Sequence, residues 1–275
     1  MDKKKTFGAT IKQIRKEQKL SQKNLANGLC SQPMLSAIEN GQYLPNSKLL
    51  IQLCQRLGIQ ADLLVLQDHF MISQNKNFSQ IAEKLCNQHQ YQELQDFLLS
   101  SEVLEAIETA EEYSAYYYYL ACSYFHLAAD LSECLQAFKL ALAENSTETT
   151  TLARLIQVSL GVVYAKQTQK KLSHDFLAAS IKNLTQTPYE ENLNILFYLK
   201  ALAEFEMTEY LAAAATINQG ILYITDHSST FMIANLYYLM ALIAEETIQL
   251  NQVTEAKKRS DIFAELYKEA VFKEI

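Results

Sequence analysis

Apolar residues recur at helical spacing along nearly the whole chain. Phe7, Ile11 and Ile14 stand at i, i+4 and i+7, and Leu49, Leu50, Leu53 and Leu57 form a second stripe, the pattern of helices that bury one face. Between these stripes the spacing predicts two short helices joined by a tight turn. Ser21 is placed to cap the first, roughly Gln22 to Gly28, which buries Leu25, Ala26 and Leu29. Ser31 is placed to cap the second, roughly Gln32 to Glu39, with Leu35 and Ile38 on one face. Pro33 falls in its first turn, where a missing N–H costs little, and Asn40-Gly41 offers the left-handed stop that glycine permits. A fifth helix is expected near Ala61 to Leu66, closing a head of residues 1–66, and 67–77 reads as a polar linker rich in Gln and Asn.

From residue 78 the pattern becomes a run of amphipathic helices with short breaks, in pairs near 78–88 and 91–99, 111–127 and 130–144, 148–167 and 171–185, 189–206 and 209–225, and 229–248 and 252–270. The first helices of successive pairs start about 40 residues apart. Leu160-Gly161 followed by Tyr164 repeats Leu120-Ala121 followed by Tyr124 forty residues earlier. The small residue lets helices approach and the aromatic fills the groove, as in the tetratricopeptide (TPR) signature that this pattern resembles. Ala178, Ala179, Ala213 and Ala214 give the second helices the same small contact surfaces. The expected fold is all-α: a five-helix head, then a TPR-like right-handed α-solenoid of about five units over 78–275.

Composition agrees with this and changes the picture in one respect. Six Gly, three Pro and no Trp in 275 residues suit a helical chain, because sheets and loops consume turn residues. The net charge of −7 argues against nucleic acid until it is divided. Residues 1–70 carry ten Lys and Arg against five Asp and Glu, and residues 71–275 carry fourteen against twenty-six. A basic head on an acidic body suits a DNA reader whose other domain repels the duplex. The five cysteines form no C-x-x-C pair and read as small buried thiols. No leader follows the basic start MDKKKTFG and no run reaches the ~18 apolar residues of a membrane span, so a cytoplasmic protein is expected.

Catalytic signatures are missing from the sequence. His69, His89, His126, His174 and His227 are isolated, with no H-E-x-x-H, G-x-S-x-G, phosphate-binding loop or G-x-G-x-x-G. Glu111-Glu112 and Glu245-Glu246 read as solvated faces. Neither enzyme activity nor a cofactor or metal is expected.

Residues Leu20-Ser21-Gln22, Leu25-Ala26, Ser31-Gln32, Leu35-Ser36, Ile38-Glu39-Asn40-Gly41 and Pro45 together resemble the lambda-repressor-like (XRE-type) helix-turn-helix domain. With the TPR-like body, nearly the full chain resembles the peptide-pheromone regulators of Gram-positive bacteria, the PlcR/PrgX/Rgg group (RRNPP family). The resemblance implies a transcriptional regulator that reads double-stranded DNA as a homodimer and answers to a short signalling peptide. In such a head the second helix of the pair enters the major groove. Gln32, Pro33, Met34 and Ser36 are then the candidate base readers, Gln32 through an adenine edge and Met34 through a thymine methyl. Many relatives have Arg where this chain has Ala37. Gln22, Lys23, Gln42, Tyr43, Asn46 and Lys48 are placed for phosphate contacts, and Lys3 to Lys5 for a basic arm. Glu39 is implied to tie the helices together.

In the body, alignment of the first helices at 40-residue spacing puts Arg154, Asn194 and Asn235 at equivalent places. An Asn amide both donates and accepts, so it can pair with the backbone of an extended peptide whatever its side chains are, and the resemblance implies this use. Gln157, Tyr198 and Tyr238 extend the candidate groove, Tyr117 or Tyr118 offers an aromatic wall, and Arg154 suits an acidic group. The alternative occupant of such a groove is a protein partner, a response regulator among them.

Overall fold

Ser21 and Ser31 each open a helix in the way their positions demand. The Ser21 side chain accepts a hydrogen bond from the Asn24 backbone N–H at the start of α1 (Gln22–Ala26). Ser31 accepts one from the Met34 N–H at the start of α2 (Gln32–Glu39). Gly41, at φ +69°, follows α2 in the left-handed region that favours glycine. These details come from a computed structural model, which describes residues 8, 11–12, 14–16, 18–43, 45, 47–58, 70–127, 130–145, 150–187 and 189–273. The expected fifth helix near 61–66 lies outside the described residues, as does Phe7. The chain divides into two units, Met1–His69 and Phe70–Ile275.

The head's core joins Ile11 from the first helical stretch, Leu25 and Ala26 from α1, and Leu35 and Ile38 from α2. Leu49, Leu53, Cys54 and Leu57 of α3 (Ser47–Leu57) complete it. Gly8 lies so near the end of α2 that a Cβ there would stand 2.0 Å from the Ile38 carbonyl oxygen. Beside this contact lies a buried ion pair. Arg15 Nε and Nη2 donate to the two carboxylate oxygens of Glu39 at 2.6 and 2.9 Å, and Arg15 Nη1 donates to the Leu20 carbonyl at 2.7 Å. The Glu39 side chain is wholly buried.

The body is a series of helices packed in sequence order: α4 (Lys76–Asn87), α5 (Tyr91–Leu98), the short α6 (Ser101–Leu104), α7 (Ala110–Leu127), α8 (Ser132–Ala143), α9 (Thr151–Lys166), α10 (Lys170–Ile181), α11 (Asn194–Glu206), α12 (Tyr210–Asp226), α13 (Ile233–Glu246) and α14 (Leu250–Tyr267). Each pair packs against itself, and α9 also packs on α11 and α11 on α13. The all-α expectation holds, and no strand occurs among the described residues. Helix α9 departs from a simple amphipathic pattern: every residue from Thr151 to Ala165 is buried. Gly161 permits this, because a Cβ there would meet Leu177 Cδ2 at 2.6 Å, and Ser173 Oγ donates to the Gly161 carbonyl at 2.8 Å. The same stitch recurs where Ser260 Oγ donates to the Ala234 carbonyl at 2.9 Å. No helix among the described residues is long and apolar enough to cross a membrane.

Two expectations need correction. The stretch read as a linker is structured from Phe70 onward, where Phe70 and Ile72 enter the body's core. Glu112 is no solvated face: it is buried and accepts from the backbone N–H groups of Glu108 and Thr109 and from Gln74 Nε2. Burial alone would push its carboxyl up, but these hydrogen bonds leave it below the usual carboxylate range.

The turns inside the repeats share one geometry. Thr168, Thr208 and Ile248, forty residues apart, take φ of +59°, +62° and +58°. The next residue's N–H reaches back to Tyr164, Glu204 and Ala244 at 2.9, 2.8 and 2.8 Å, a helix-ending motif that normally uses glycine. A β-branched residue in this region is strained by about 1–2 kcal/mol. Ile248 is 83% exposed and loses no packing when replaced. Ile248→Gly should raise body stability by about 0.5–1 kcal/mol, glycine's extra freedom in the unfolded chain offsetting part of the relief. A lower urea midpoint for this variant would refute the strain.

The head yields a second prediction. Burial pushes the Glu39 carboxyl up, but the hydrogen bonds from Arg15 and Gln22 and the charges of Arg15 and Lys12 outweigh it, so its value is lowered. A lowered folded-state value contributes stability that is fully present above the ordinary carboxylate pKa and is lost as pH falls through the folded one. Arg15→Ala should cost the head about 3–5 kcal/mol by stranding a buried charge and should flatten its acid dependence. Hydrogen exchange at the Leu35 and Ile38 amides reads both effects, and unchanged protection would contradict them.

Candidate functional site

The ion pair under the head orders a row of polar side chains that ends on the exposed face of α2. Glu39, ionised and buried, can only accept hydrogen bonds. Gln22 must therefore turn its amide nitrogen toward it, and Gln22 Nε2 donates to Glu39 Oε2 at 2.8 Å. This leaves Gln22 Oε1 facing outward, where it accepts from Gln32 Nε2 at 2.8 Å. Gln32 is thereby held with its amide oxygen and one remaining N–H available, the donor and acceptor pair that an adenine edge requires.

Pro33 and Met34 are exposed beside Gln32, and Ser36 is half-buried one turn on. Lys23 and Tyr43 are exposed on the same unit. The Ala37 carbonyl accepts from the Gln42 and Tyr43 N–H groups at 2.8 and 3.2 Å, which folds the loop after α2 back onto that helix. Asn46 lies outside the described residues, and of Lys48 only its place in α3 is described.

In the body a cavity of about 490 Å3 opens among α4, α5, α7, α11 and α13, and aromatic residues dominate its wall. Tyr118, Tyr119, Phe125, Tyr198 and Phe231 line it, as do His89, Tyr91, His126 and Asn235. The expected ladder divides here. Arg154, Gln157, Asn194 and Tyr238 do not line the cavity. Arg154 is buried, with Nη1 donating to the Ser180 carbonyl at 2.7 Å and Nη2 to Thr187 Oγ1 at 3.0 Å. It closes the end of α10 instead of presenting a charge to a ligand. Asn194 is fully buried, donates to Ser229 Oγ and the Phe231 carbonyl at 3.2 and 3.1 Å, and accepts from the Tyr189 hydroxyl at 3.3 Å. It ties down the segment that enters α13.

Asn235 does pair with backbone outside the helices, and that backbone belongs to this chain. Its Nδ2 donates to the Ala270 carbonyl at 3.1 Å, and its Oδ1 accepts from the Phe272 N–H at 3.0 Å. Nδ2 also donates to Glu269 Oε1 at 2.6 Å, and the Asn235 backbone N–H donates to the same oxygen at 3.2 Å. Glu269 thus sits at the start of α13, where helix N–H groups lack intrahelical partners. Burial raises its carboxyl, against hydrogen bonds from Asn235 and the backbone that lower it.

Two of the five histidines read as isolated in sequence, His89 and His126, are brought together. Tyr91 stacks on His126 with centroids 3.8 Å apart, and the Phe272 ring meets His126 at 4.6 Å and His89 at 5.4 Å. A carbonyl can only accept, so His89 Nε2 donates to the Ala270 oxygen at 3.3 Å and its Nδ1 accepts from the Tyr91 hydroxyl at 2.9 Å. Burial, with the nearby His89 and Lys166, pushes His126 down to about 3, so its ring is uncharged near neutrality. No group of His, Cys, Asp and Glu suited to a metal occurs among the described residues. Three buried polar atoms of the predicted groove residues have no hydrogen-bond partner, Arg154 Nε, Gln157 Oε1 and the Tyr198 hydroxyl, and of these residues Tyr198 lines the cavity.

Comparison with known proteins agrees with this architecture. A helix-turn-helix family model matches residues 11–64. Over 61 residues the chain is 41% identical to the ImmF control region 10 kDa protein of Bacillus phage phi105, a stretch that is 22% of this chain and 68% of that protein. Among solved structures, Bacillus thuringiensis PlcR in complex with the peptide PapR7 and DNA is similar at a TM-score of 0.63 and 20% identity, covering 96% of each chain. ComR from S. thermophilus in complex with DNA and its signalling peptide ComS is similar at 0.52 and 16% identity, covering 95% of this chain and 94% of that one. The resemblance to the PlcR/PrgX/Rgg group therefore holds at the level of fold. Through residues 11–64 the chain belongs to the helix-turn-helix family, and over nearly all its length it takes the fold of PlcR.

Proposed function

We propose that this protein is a sequence-specific DNA-binding transcriptional regulator, active as a homodimer, whose body binds a short signalling peptide that controls it. The observation that carries the reading is the pairing of both Asn235 amide atoms with the backbone of a non-helical segment. The body thus contains a groove able to hold a peptide by its main chain, while the head presents an oriented glutamine on an exposed helix. PlcR and ComR, which share the fold, were each solved with DNA and a peptide. A cavity of about 490 Å3 walled by aromatics admits a few side chains and is too small for a folded domain, which favours a peptide over a protein partner. A single head buries little surface, and two heads on adjacent half-sites supply the affinity of a specific operator. Tyr198 supplies the groove's unfilled hydrogen-bonding position in this reading, and the peptide satisfies its hydroxyl.

Two measurements test the two halves. On an operator selected in vitro from random duplexes, Gln32→Ala should cost about 1–3 kcal/mol of specific binding, the range of one bidentate base contact. Unchanged affinity would remove Gln32 from the readers. Tyr198→Phe removes an unpaired buried hydroxyl, so the unfolding midpoint should not drop. Affinity for a peptide that co-purifies from the host should fall by about 0.5–1.5 kcal/mol. A variant that bound this peptide as well as the parent would exclude the hydroxyl from the site.

A further inference from the structure

Segment 268–273, Lys-Glu-Ala-Val-Phe-Lys, does more than fill space beside the cavity. Three separate features hold it. The Glu269 carboxylate sits on the N–H groups that begin α13. The Ala270 carbonyl is clamped between Asn235 Nδ2 and His89 Nε2. The Phe272 ring enters a box of His89, Tyr91 and His126, with centroids at 5.4, 6.5 and 4.6 Å. The chain leaves the helix there: α14 ends at Tyr267, Lys268 turns in the left-handed region at φ +54°, and 269–273 form no helix or strand. The contacts to Ala270 and the Phe272 N–H ignore side-chain identity, whereas the other two select a carboxylate and an aromatic ring three residues apart.

The geometry points to a recognition pattern: the peptide that this groove accepts carries an acidic side chain and, three residues later, an aromatic one, and segment 268–273 is the chain's own copy of that pattern, which the peptide displaces. The inference rests on the peptide-groove reading above and names the ligand's chemistry. The box suits an aromatic ring because its walls are themselves rings at edge-to-face and tilted angles of 56°, 61° and 78° to Phe272. The start of α13 suits a carboxylate because its N–H groups point at one. The Tyr198 hydroxyl, buried on the wall of the same cavity and unpaired, is a polar position that segment 268–273 leaves unmet and a longer or differently seated peptide can fill.

The test uses the full chain and a synthetic Lys-Glu-Ala-Val-Phe-Lys hexapeptide, blocked at both ends, with its Phe→Ala and Glu→Gln counterparts. The Phe272→Ala protein, whose own segment no longer fills the box, should bind the parent hexapeptide about tenfold or more tightly than the unaltered protein does, the scale of one buried aromatic side chain. It should bind both altered peptides at least about fivefold more weakly than the parent. A second variant, Tyr91→Leu, keeps the cavity apolar but removes the stacked wall, and should erase the preference for Phe over Ala. Thermal melts of both variants check the fold. Equal binding of the parent and altered peptides would overturn the recognition pattern and leave the groove. Failure of every hexapeptide to bind the Phe272→Ala protein would overturn the pattern and the groove together. Binding with the stated preferences, in a host where no peptide ever co-purifies, would support the pattern and sink only the signalling reading.

Discussion

A carboxylate removed from water has to be paired, and in the head this single requirement propagates from the core to the outer face. Glu39 is buried between the helices and Arg15 answers it with two parallel hydrogen bonds. Of the lone pairs that fork leaves free, Gln22 takes one. Because the carboxylate cannot donate, each amide along the row has a fixed sense, and the last of them, Gln32, faces outward with its hydrogen-bonding pattern already set. Replacing the ion pair with apolar residues can leave such a core equally stable, yet would free both glutamines to flip. The pair therefore serves orientation at least as much as stability, and it links core packing directly to the outer face of α2.

The same accounting shapes the body. With α9 buried from Thr151 to Ala165, every polar group near it needs a partner inside the protein. Arg154 meets the need through Nη1 at the end of α10, Ser173 at Gly161, and Asn194 at the entrance to α13, while Arg154 Nε and Gln157 Oε1 stay unpaired. Asn235 differs in that its partners Ala270 and Phe272 lie on a segment outside the packed helices. Asn194 fixes the approach to α13, whereas Asn235 holds the segment that follows α14. Two residues equivalent in the repeat thus diverge in role through what lies opposite them.

Much of this was legible in the sequence, and the misses have physical causes. The caps Ser21 and Ser31, the limits of α2, and nearly every body helix follow from apolar spacing and local chemistry, because these are decided within a few residues. The 40-residue period was legible from Leu120-Ala121 and Leu160-Gly161, whereas the turn residues Thr168, Thr208 and Ile248 carry no glycine to announce them. Position in the repeat located Arg154 and Asn194 correctly along their helices but not which way their hydrogen bonds run, since their partners stand 26 to 37 residues away. The box was invisible for the same reason in stronger form. His89, Tyr91 and His126 come from two helix pairs and Phe272 from beyond the last, with His89 and Ala270 separated by 181 residues. Polar composition also hid Phe70 and Ile72, two apolar residues in a stretch otherwise suited to a linker.

A groove that holds a segment of its own chain has a different response from an empty one. A tethered competitor acts at an effective concentration in the millimolar range for a short link. An incoming peptide binds only the fraction of molecules whose groove is open, so its apparent dissociation constant rises as that fraction falls. Weak contacts suffice for the internal segment, and those seen here are few: one amide, one imidazole, one helix end and one ring. A free peptide pays the full entropy of immobilisation and must recover it from contacts that the segment lacks, of which the Tyr198 hydroxyl is one. Specificity then comes from the difference between two peptides competing for the same groove, one of them always present. A ligand that merely reproduced the internal contacts would win only at concentrations near the tether's own, so a peptide effective at low concentration has to reach further into the cavity than Phe272 does.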